Sequence, residues 1–305
     1  MSIIAVLSSL FIVMLVGFVL GKIKLFDDDS RKALSRFVFY VATSALIIES
    51  IATIKVSELK QLPQFITINT FFYAVAYIGL YLVLRMIKAS YKKGASVLYA
   101  GTVANTIYLG LPVIRALYGA EGVLFAVAIF TIPSAVSDVV DFYILSKWRK
   151  GKVSLLAVLK DFIANPIVAS TFIGIILLAL RAQLPDYISS SLNLLGNSAT
   201  GVALFAMGLF LSTTSWKNFK IGQASVATAI KLILMPTLAL LTGRLFGLHG
   251  TALSVMVLMA AMPSAIFCMI VATEYGFDEH VTADTILLSS VLFVLSSLFW
   301  IHVLR

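Results

Sequence analysis

An all-α membrane protein with about ten transmembrane helices is the fold class this sequence predicts, and three features predict it. The first is a shortage of charge. Of 305 residues, 60% are hydrophobic and only 12% charged, against roughly 25% charged in a soluble domain. Such a chain cannot cover a water-facing surface and is comfortable only where lipid covers most of it. The second is a succession of apolar runs close to the length of about 20 residues that a helix needs to cross a bilayer. The third is the placing of Lys and Arg in the short loops between those runs.

The runs lie at 3–21, 34–53, 64–87, 95–117, 121–145, 155–180, 187–212, 221–245, 250–274 and 281–303. The first has no basic lead and no cleavage site, so it reads as a retained span rather than a signal peptide. Basic residues follow the odd spans: Lys22, Lys24, Arg31 and Lys32, then Arg85, Lys88, Lys92 and Lys93. After span 5 come Lys147, Arg149, Lys150, Lys152 and Lys160, and after span 7 Lys217 and Lys220. The even loops hold only Lys55 and Lys60, Arg181 and Arg244. The positive-inside rule makes the odd loops cytoplasmic and places both termini outside. The acidic trio Asp27, Asp28 and Asp29 weighs little in that rule. The net charge of +9 is therefore a topology signal, and no nucleic-acid-binding pattern is present. With one cysteine, Cys268, an intrachain disulfide is excluded.

The most basic loop divides the chain near its middle, with five runs on each side. An odd number of spans per half inverts the second half relative to the first, which is the plan of many secondary transporters. The expected halves are 1–148 and 149–305. Each carries an interruption in its fourth span. In span 4 it is the stretch Asn105 to Pro112 (NTIYLGLP), and in span 9 Ala261-Met-Pro263-Ser-Ala265. Each broken span then runs into a Tyr-Gly pair, Tyr118-Gly119 and Tyr275-Gly276.

Proline inside a helix removes one hydrogen bond and clashes with the preceding turn. In lipid the freed groups must find partners, so unwound backbone is tolerated only where it lines a protein cavity. Two such breaks at matching places in inverted halves are expected to meet at the bilayer midplane. A half-helix restarting after a break aims N–H groups and a positive dipole end into the cavity. That arrangement suits a carboxylate or another small anion. The candidate substrate-binding residues are Asn105, which both donates and accepts, with Gly110, Pro112, Pro263 and Ser264. An ordinary kink is the competing reading of either proline taken alone.

The stretch Ala104 to Gly119 (ANTIYLGLPVIRALYG) resembles the fourth-span motif of the auxin efflux carrier family, which includes the plant PIN-FORMED carriers. Similar to the same family are Gly17 to Phe26 (GFVLGKIKLF), Asn165-Pro166, Met207-Gly208-Leu209, Lys231 to Ala239 (KLILMPTLA), Met262 to Ala265 and Val271 to Tyr275. The likeness runs over essentially the whole chain. The long central hydrophilic loop of many plant members is missing, so the compact, often prokaryotic branch is the one it resembles. The resemblance implies a fold like that of the bile-acid/sodium symporters. In that fold spans 1, 2, 6 and 7 form a scaffold, and spans 3–5 and 8–10 a moving transport domain in which spans 4 and 9 cross. It implies carboxylate substrates, a homodimer through the scaffold, and a role for Asn105, Pro112 and Pro263 in the site. A second crossover asparagine of the plant carriers has no counterpart beside Pro263, where Ser264 stands instead.

Ionisable groups within apolar runs are functional hypotheses by default. Asp138 and Asp141 in span 5 are three residues apart and share a helix face. They either hold a coupling cation, Na+ or H+, or Asp141 is solvated near the cytoplasmic end beside Lys147. Glu49 belongs either to the scaffold wall or to the outer interface. Lys231 either snorkels to a headgroup or neutralises Asp138 or Asp141. Asn165-Pro166 bends or caps span 6. Glu274, Asp278, Glu279 and His280 read as a solvated loop, and His280 and His302 lack zinc-ligand spacing. No Walker A loop, dinucleotide fingerprint or nucleophile elbow is present. The sequence therefore predicts no enzyme, no cofactor and no metal. It predicts an integral membrane carrier of a small organic anion working by elevator-type alternating access, in a bacterial or archaeal cell membrane. The alternatives are a sodium- or proton-coupled importer of bile-acid-like or dicarboxylate substrates, a channel, or a membrane receptor.

Overall fold

The computed structural model of the chain describes residues 3–52, 61–129, 132–149, 166–180, 182, 184–213 and 221–304. Among these, regular structure is helical apart from one isolated antiparallel bridge. The expectations for Lys55, Lys60, Lys150, Lys152, Lys160, Asn165, Arg181, Lys217 and Lys220 lie outside the described residues.

By length and composition, six described helices can cross a membrane: Asp29–Ala52, Leu62–Met86, Thr106–Ile129, Asp186–Thr213, Ile221–Leu245 and Glu279–Val303. Ser8–Lys22, Val168–Ala179 and Gly250–Ala260 are shorter apolar helices. Large apolar side chains such as Leu15, Phe71, Leu82, Ile176, Leu241 and Leu295 stand more than half exposed on the protein, as lipid-facing side chains do.

The chain falls into two compact units. The first holds Met1–Leu62, Ile107–Thr131 and Lys160–Thr214. Its helices are α1 (Ile3–Lys22), α2 (Asp28–Phe37) leading through a π-helical turn into α3 (Thr43–Ala52), α6 (Leu111–Ile129), α8 (Pro166–Ala179) and α9 (Asp186–Thr213). Small residues let these helices close on one another, as in membrane bundles generally. A Cβ on Gly208 of α9 would lie 2.0 Å from the Met14 carbonyl of α1, and one on Gly17 2.2 Å from the Phe205 carbonyl. Arg115 of α6 donates to the Gly196 carbonyl (3.0 Å) and to Asn197 Oδ1 (2.6 Å) on α9. Asp27 caps α2 by accepting from the Ser30 N–H at 2.8 Å, and the Ser30 hydroxyl, followed by that N–H, holds its carboxyl below the usual aspartate range.

The second unit holds Pro63–Thr106, Ile132–Leu159 and Ser215–Arg305. Its helices are α4 (Leu62–Met86), α5 (Tyr91–Thr102), α7 (Ile132–Arg149), α10 (Ile221–Ala229), α11 (Met235–Leu245), α12 (Gly250–Ala260), α13 (Phe267–Tyr275) and α14 (Glu279–Val303). A π-helical turn, Ile230–Leu234, joins α10 to α11. It sits just ahead of Pro236, whose missing N–H is the α-helical donor to the Leu232 carbonyl. That carbonyl is taken instead by Trp300 Nε1 (2.8 Å) and Ser296 Oγ (3.2 Å) of α14. Gly94 admits the Trp148 ring, which packs edge-on against Tyr81 and Tyr91.

The two Tyr-Gly pairs both place a glycine at positive φ. Gly119 has φ of 59° inside α6, and Gly276 closes α13 in the left-handed region at φ of 71°. Positive φ favours glycine, so Gly276 ends α13, while Gly119 kinks α6 before it runs on to Ile129.

Candidate functional site

Both interrupted spans break within the second unit, and the breaks pair there. Span 4 leaves its helix after Thr102, and span 9 after Ala260. Ala104 and Ser264 then form the isolated antiparallel bridge. The Asn105 N–H donates to the Pro263 carbonyl at 2.7 Å, and the Ala265 N–H donates to the Val103 carbonyl at 3.1 Å. Two bonds of sheet type replace those that each helix lost on unwinding. This is how broken backbone is kept at membrane depth without orphaned polar groups.

Ser264 locks the exchange on both sides. It is fully buried. Its hydroxyl donates to the Ala100 carbonyl of α5, whose α-helical donor would be the N–H of Ala104, a residue drawn off into the bridge. Its own N–H donates to Ser289 Oγ of α14 at 3.0 Å. Asn105, at 2% exposure, adjoins the same exchange.

Of the five candidate binding residues, Asn105, Pro263 and Ser264 come together at this crossover. Gly110 and Pro112 stand five and seven residues beyond it, in the first unit. Span 4 unwinds at Val103–Asn105, ahead of the expected stretch up to Pro112. At the proline the helix widens into a π-helical turn, Thr106–Gly110, rather than breaking. A wider turn removes the clash of the Pro112 ring with the carbonyl of Tyr108. The actual break is fixed by the partner segment, which sequence does not display.

The intramembrane charges are placed differently from expectation. Asp141 is 1% exposed, so the reading in which it is solvated beside Lys147 is overturned. It sits in α7, within electrostatic range of Tyr77 and Cys268. Asp138 also falls in α7, and its side chain lies outside those described. Lys231 does not snorkel. It is fully buried, and its Nζ donates to the Thr102 carbonyl (3.0 Å) and the Ala260 carbonyl (2.9 Å). These are the last carbonyls of α5 and α12, the two half-helices that end at the crossover. Cys268 is buried in α13 and lies within electrostatic range of Lys231. Glu49 is half-buried in α3, and His280 and His302 are exposed.

Lys231 is the site residue whose role sequence reasoning missed. Its partners are 129 and 29 residues away in the chain. The available signal was a lysine inside an apolar run five residues before a proline, where a π-helical turn redirects a side chain. In chemical terms the crossover brings together backbone dipoles, one amide side chain, hydroxyls and one buried ammonium. That set binds and orients a polar solute and offers no nucleophile–base pair for bond-breaking.

A helical membrane protein with paired broken helices in its interior is built to pass a solute across the bilayer, and the fold and site define this class. The chain belongs to the family described as membrane transport protein, which matches residues 2–301. It is 26% identical to the Escherichia coli protein named uncharacterized transporter YfdV over 306 residues, covering 96% of this chain and 95% of that one. It is 25% identical to uncharacterized transporter MJ1031 of Methanocaldococcus jannaschii over 298 residues, covering 95% and 94%. Among plant proteins, auxin efflux carrier component 8 of Arabidopsis thaliana is 23% identical over 335 residues, covering 91% and 90%. Component 4 of the same plant is 31% identical over 148 residues, 47% of this chain and 23% of that carrier. The chain is thus a membrane transporter of the auxin efflux carrier family, and the expectation of a non-enzyme agrees with its relatives.

Proposed function

We propose that this chain is a secondary carrier of a small organic anion, a carboxylate of auxin-like or dicarboxylate type, which binds at the crossover of spans 4 and 9. The observation that carries the reading is the main-chain exchange between Asn105 and Pro263 and between Ala265 and Val103. It holds two helix breaks face to face, and α13 restarts just beyond them. Helix starts favour negative charge, and the Asn105 amide adds a directional donor. Gly110 and Pro112 shape the approach along span 4 in this reading. Asp138 and Asp141 carry the coupling ion, which in this reading is a proton.

Alternating access is of the elevator type in this proposal. Spans 3–5 and 8–10 are the moving part and spans 1, 2, 6 and 7 the scaffold, which also supplies the interface of a homodimer. About ten spans in two inverted repeats, both termini outside and a prokaryotic cell membrane complete it. The direction proposed is export, by likeness to the efflux carriers.

The test is counterflow in proteoliposomes with a panel of radiolabelled carboxylates, the panel first narrowed by thermal shift on purified protein. A carrier saturates and shows counterflow, whereas a channel shows neither. Asn105→Ala leaves the main-chain exchange in place, because the N–H that bonds Pro263 remains. It removes any hydrogen bond from the amide to a carboxylate, worth about 1.5–3 kcal/mol, or roughly 10- to 150-fold in apparent affinity. Undiminished saturable transport by a folded Asn105→Ala protein refutes the site.

A further inference from the structure

Two helices of the second unit, α5 and α12, end at the crossover with their carbonyl ends converging on one point. A helix C-terminus carries unsatisfied carbonyls and the negative end of the backbone dipole. Two such ends in an interior closed to water call for a cation. Buried carbonyl oxygens are the ligands that monovalent cations use when they leave water. The group found there is the Lys231 ammonium, 3.0 Å from the Thr102 oxygen and 2.9 Å from the Ala260 oxygen.

We infer that Thr102 and Ala260 form a monovalent-cation site that this chain fills with its own tethered ammonium, so that no free sodium ion is taken up at the crossover. Three features aim the tether. Lys231 lies within the π-helical turn Ile230–Leu234, which rotates it relative to a regular helix. Pro236 stands five residues on and lies close beyond that turn. Trp300 and Ser296 hold the turn by taking the Leu232 carbonyl. The side chain is 0% exposed, so its charge acts undiluted by solvent on what lies around it. A positive charge tethered there raises the potential at the crossover without an ion having to bind. An exchangeable sodium would do so only while bound.

The inference rests on the proposed anion site only for its meaning in transport, and its test reads stability, so the two fail separately. Purified wild-type protein, Lys231→Ala and Lys231→Met are unfolded thermally at equal ionic strength in chlorides of sodium, potassium, choline and n-propylammonium. Propylammonium replaces the atoms that Lys231→Ala removes. The wild type is expected to unfold at one midpoint in all four salts. Lys231→Ala should unfold lower in choline and be raised saturably by propylammonium, by mass action on the vacated site, and to a smaller extent by sodium. Lys231→Met fills the space with an apolar stem and should respond to neither. Saturable sodium stabilisation of the wild type overturns the inference, and this arm needs no variant to fold. So does a folded Lys231→Ala protein that is indifferent to propylammonium. If Lys231→Ala yields no folded protein in choline, recovery on extraction with propylammonium supports the inference and failure of both extractions overturns it.

Discussion

The proline in span 8 and the tryptophan in span 10 are two halves of one arrangement, and a double-mutant cycle measures the link. Pro236 cannot give the Leu232 carbonyl its helical donor, and Trp300 Nε1 reaches that oxygen at 2.8 Å with Ser296 Oγ at 3.2 Å. Trp300→Phe removes the better donor and the outer part of a ring that is 4% exposed. The hydrogen bond is worth about 1 kcal/mol net, and the lost ring atoms about 1 kcal/mol more, so the single variant should lose about 2 kcal/mol. Pro236→Ala restores an N–H at the position from which an α-helix would serve Leu232. In that background the packing loss stays and the hydrogen-bond loss goes. The coupling should therefore be about 1 kcal/mol, roughly fivefold in the unfolding equilibrium. Denaturant titration in detergent followed by circular dichroism reads all four proteins. Additivity to within about 0.3 kcal/mol would refute the claim that the aromatic donor exists to serve the carbonyl released by the proline.

Two further outcomes follow from the packing. Gly208→Leu places a side chain where a Cβ already lies 2.0 Å from the Met14 carbonyl, so α1 and α9 must part. Loss of a monodisperse peak on size exclusion is expected, while Gly201→Ala on the same helix, with nothing within 4 Å of its Cβ, should be tolerated or gain up to about 1 kcal/mol. Ser264→Ala strips the Ala100 carbonyl of its hydroxyl donor in a fully buried place. It should cost about 1–3 kcal/mol, and a loss below roughly 0.5 kcal/mol in thermal or denaturant unfolding would show that the serine does not hold the break.

Sequence periodicity and run length read the long helices well. The runs at 64–87, 187–212, 221–245 and 281–303 lie within two residues of Leu62–Met86, Asp186–Thr213, Ile221–Leu245 and Glu279–Val303. These are local properties, since a span is a run of apolar side chains and needs no partner to be recognised. The interruption of span 9 was legible for the same reason, because Pro263 removes a helical hydrogen bond locally. Span 4 shows the limit. Pro112 is the visible breaker, yet the chain unwinds at Val103–Asn105, where nothing in the local sequence forbids a helix. The extended conformation there is stabilised by Pro263 and Ala265, some 160 residues away. The partners of Lys231 were unreadable on the same ground. Its environment consists of backbone carbonyls, which are identical at every residue, so no side-chain pattern announces them. The Asp141 carboxylate was legible as costly, and only the fold shows that protein, not water, surrounds it.

The crossover has to solve two electrostatic problems of opposite sign, and the residues divide the work. Where α5 and α12 end, carbonyl dipoles converge and would repel an anion. In the inference drawn from Lys231, its ammonium, bonded to the Thr102 and Ala260 carbonyls, offsets that field at its source. With the carbonyl ends neutralised, the amide end that begins α13 is left to favour an anion at the break. A carrier that relied on a dissociable cation for the same cancellation would bind anion and cation together. One that carries the cation on its own chain separates the two, so that, on the inference drawn from Lys231, anion binding at the crossover needs no sodium. Sodium-independent counterflow by the wild type, together with sodium-stimulated counterflow by a folded Lys231→Ala protein, is the pair of results this division of labour requires. Sodium dependence of the wild type would mean that the ammonium is mere packing and that the cation acts elsewhere.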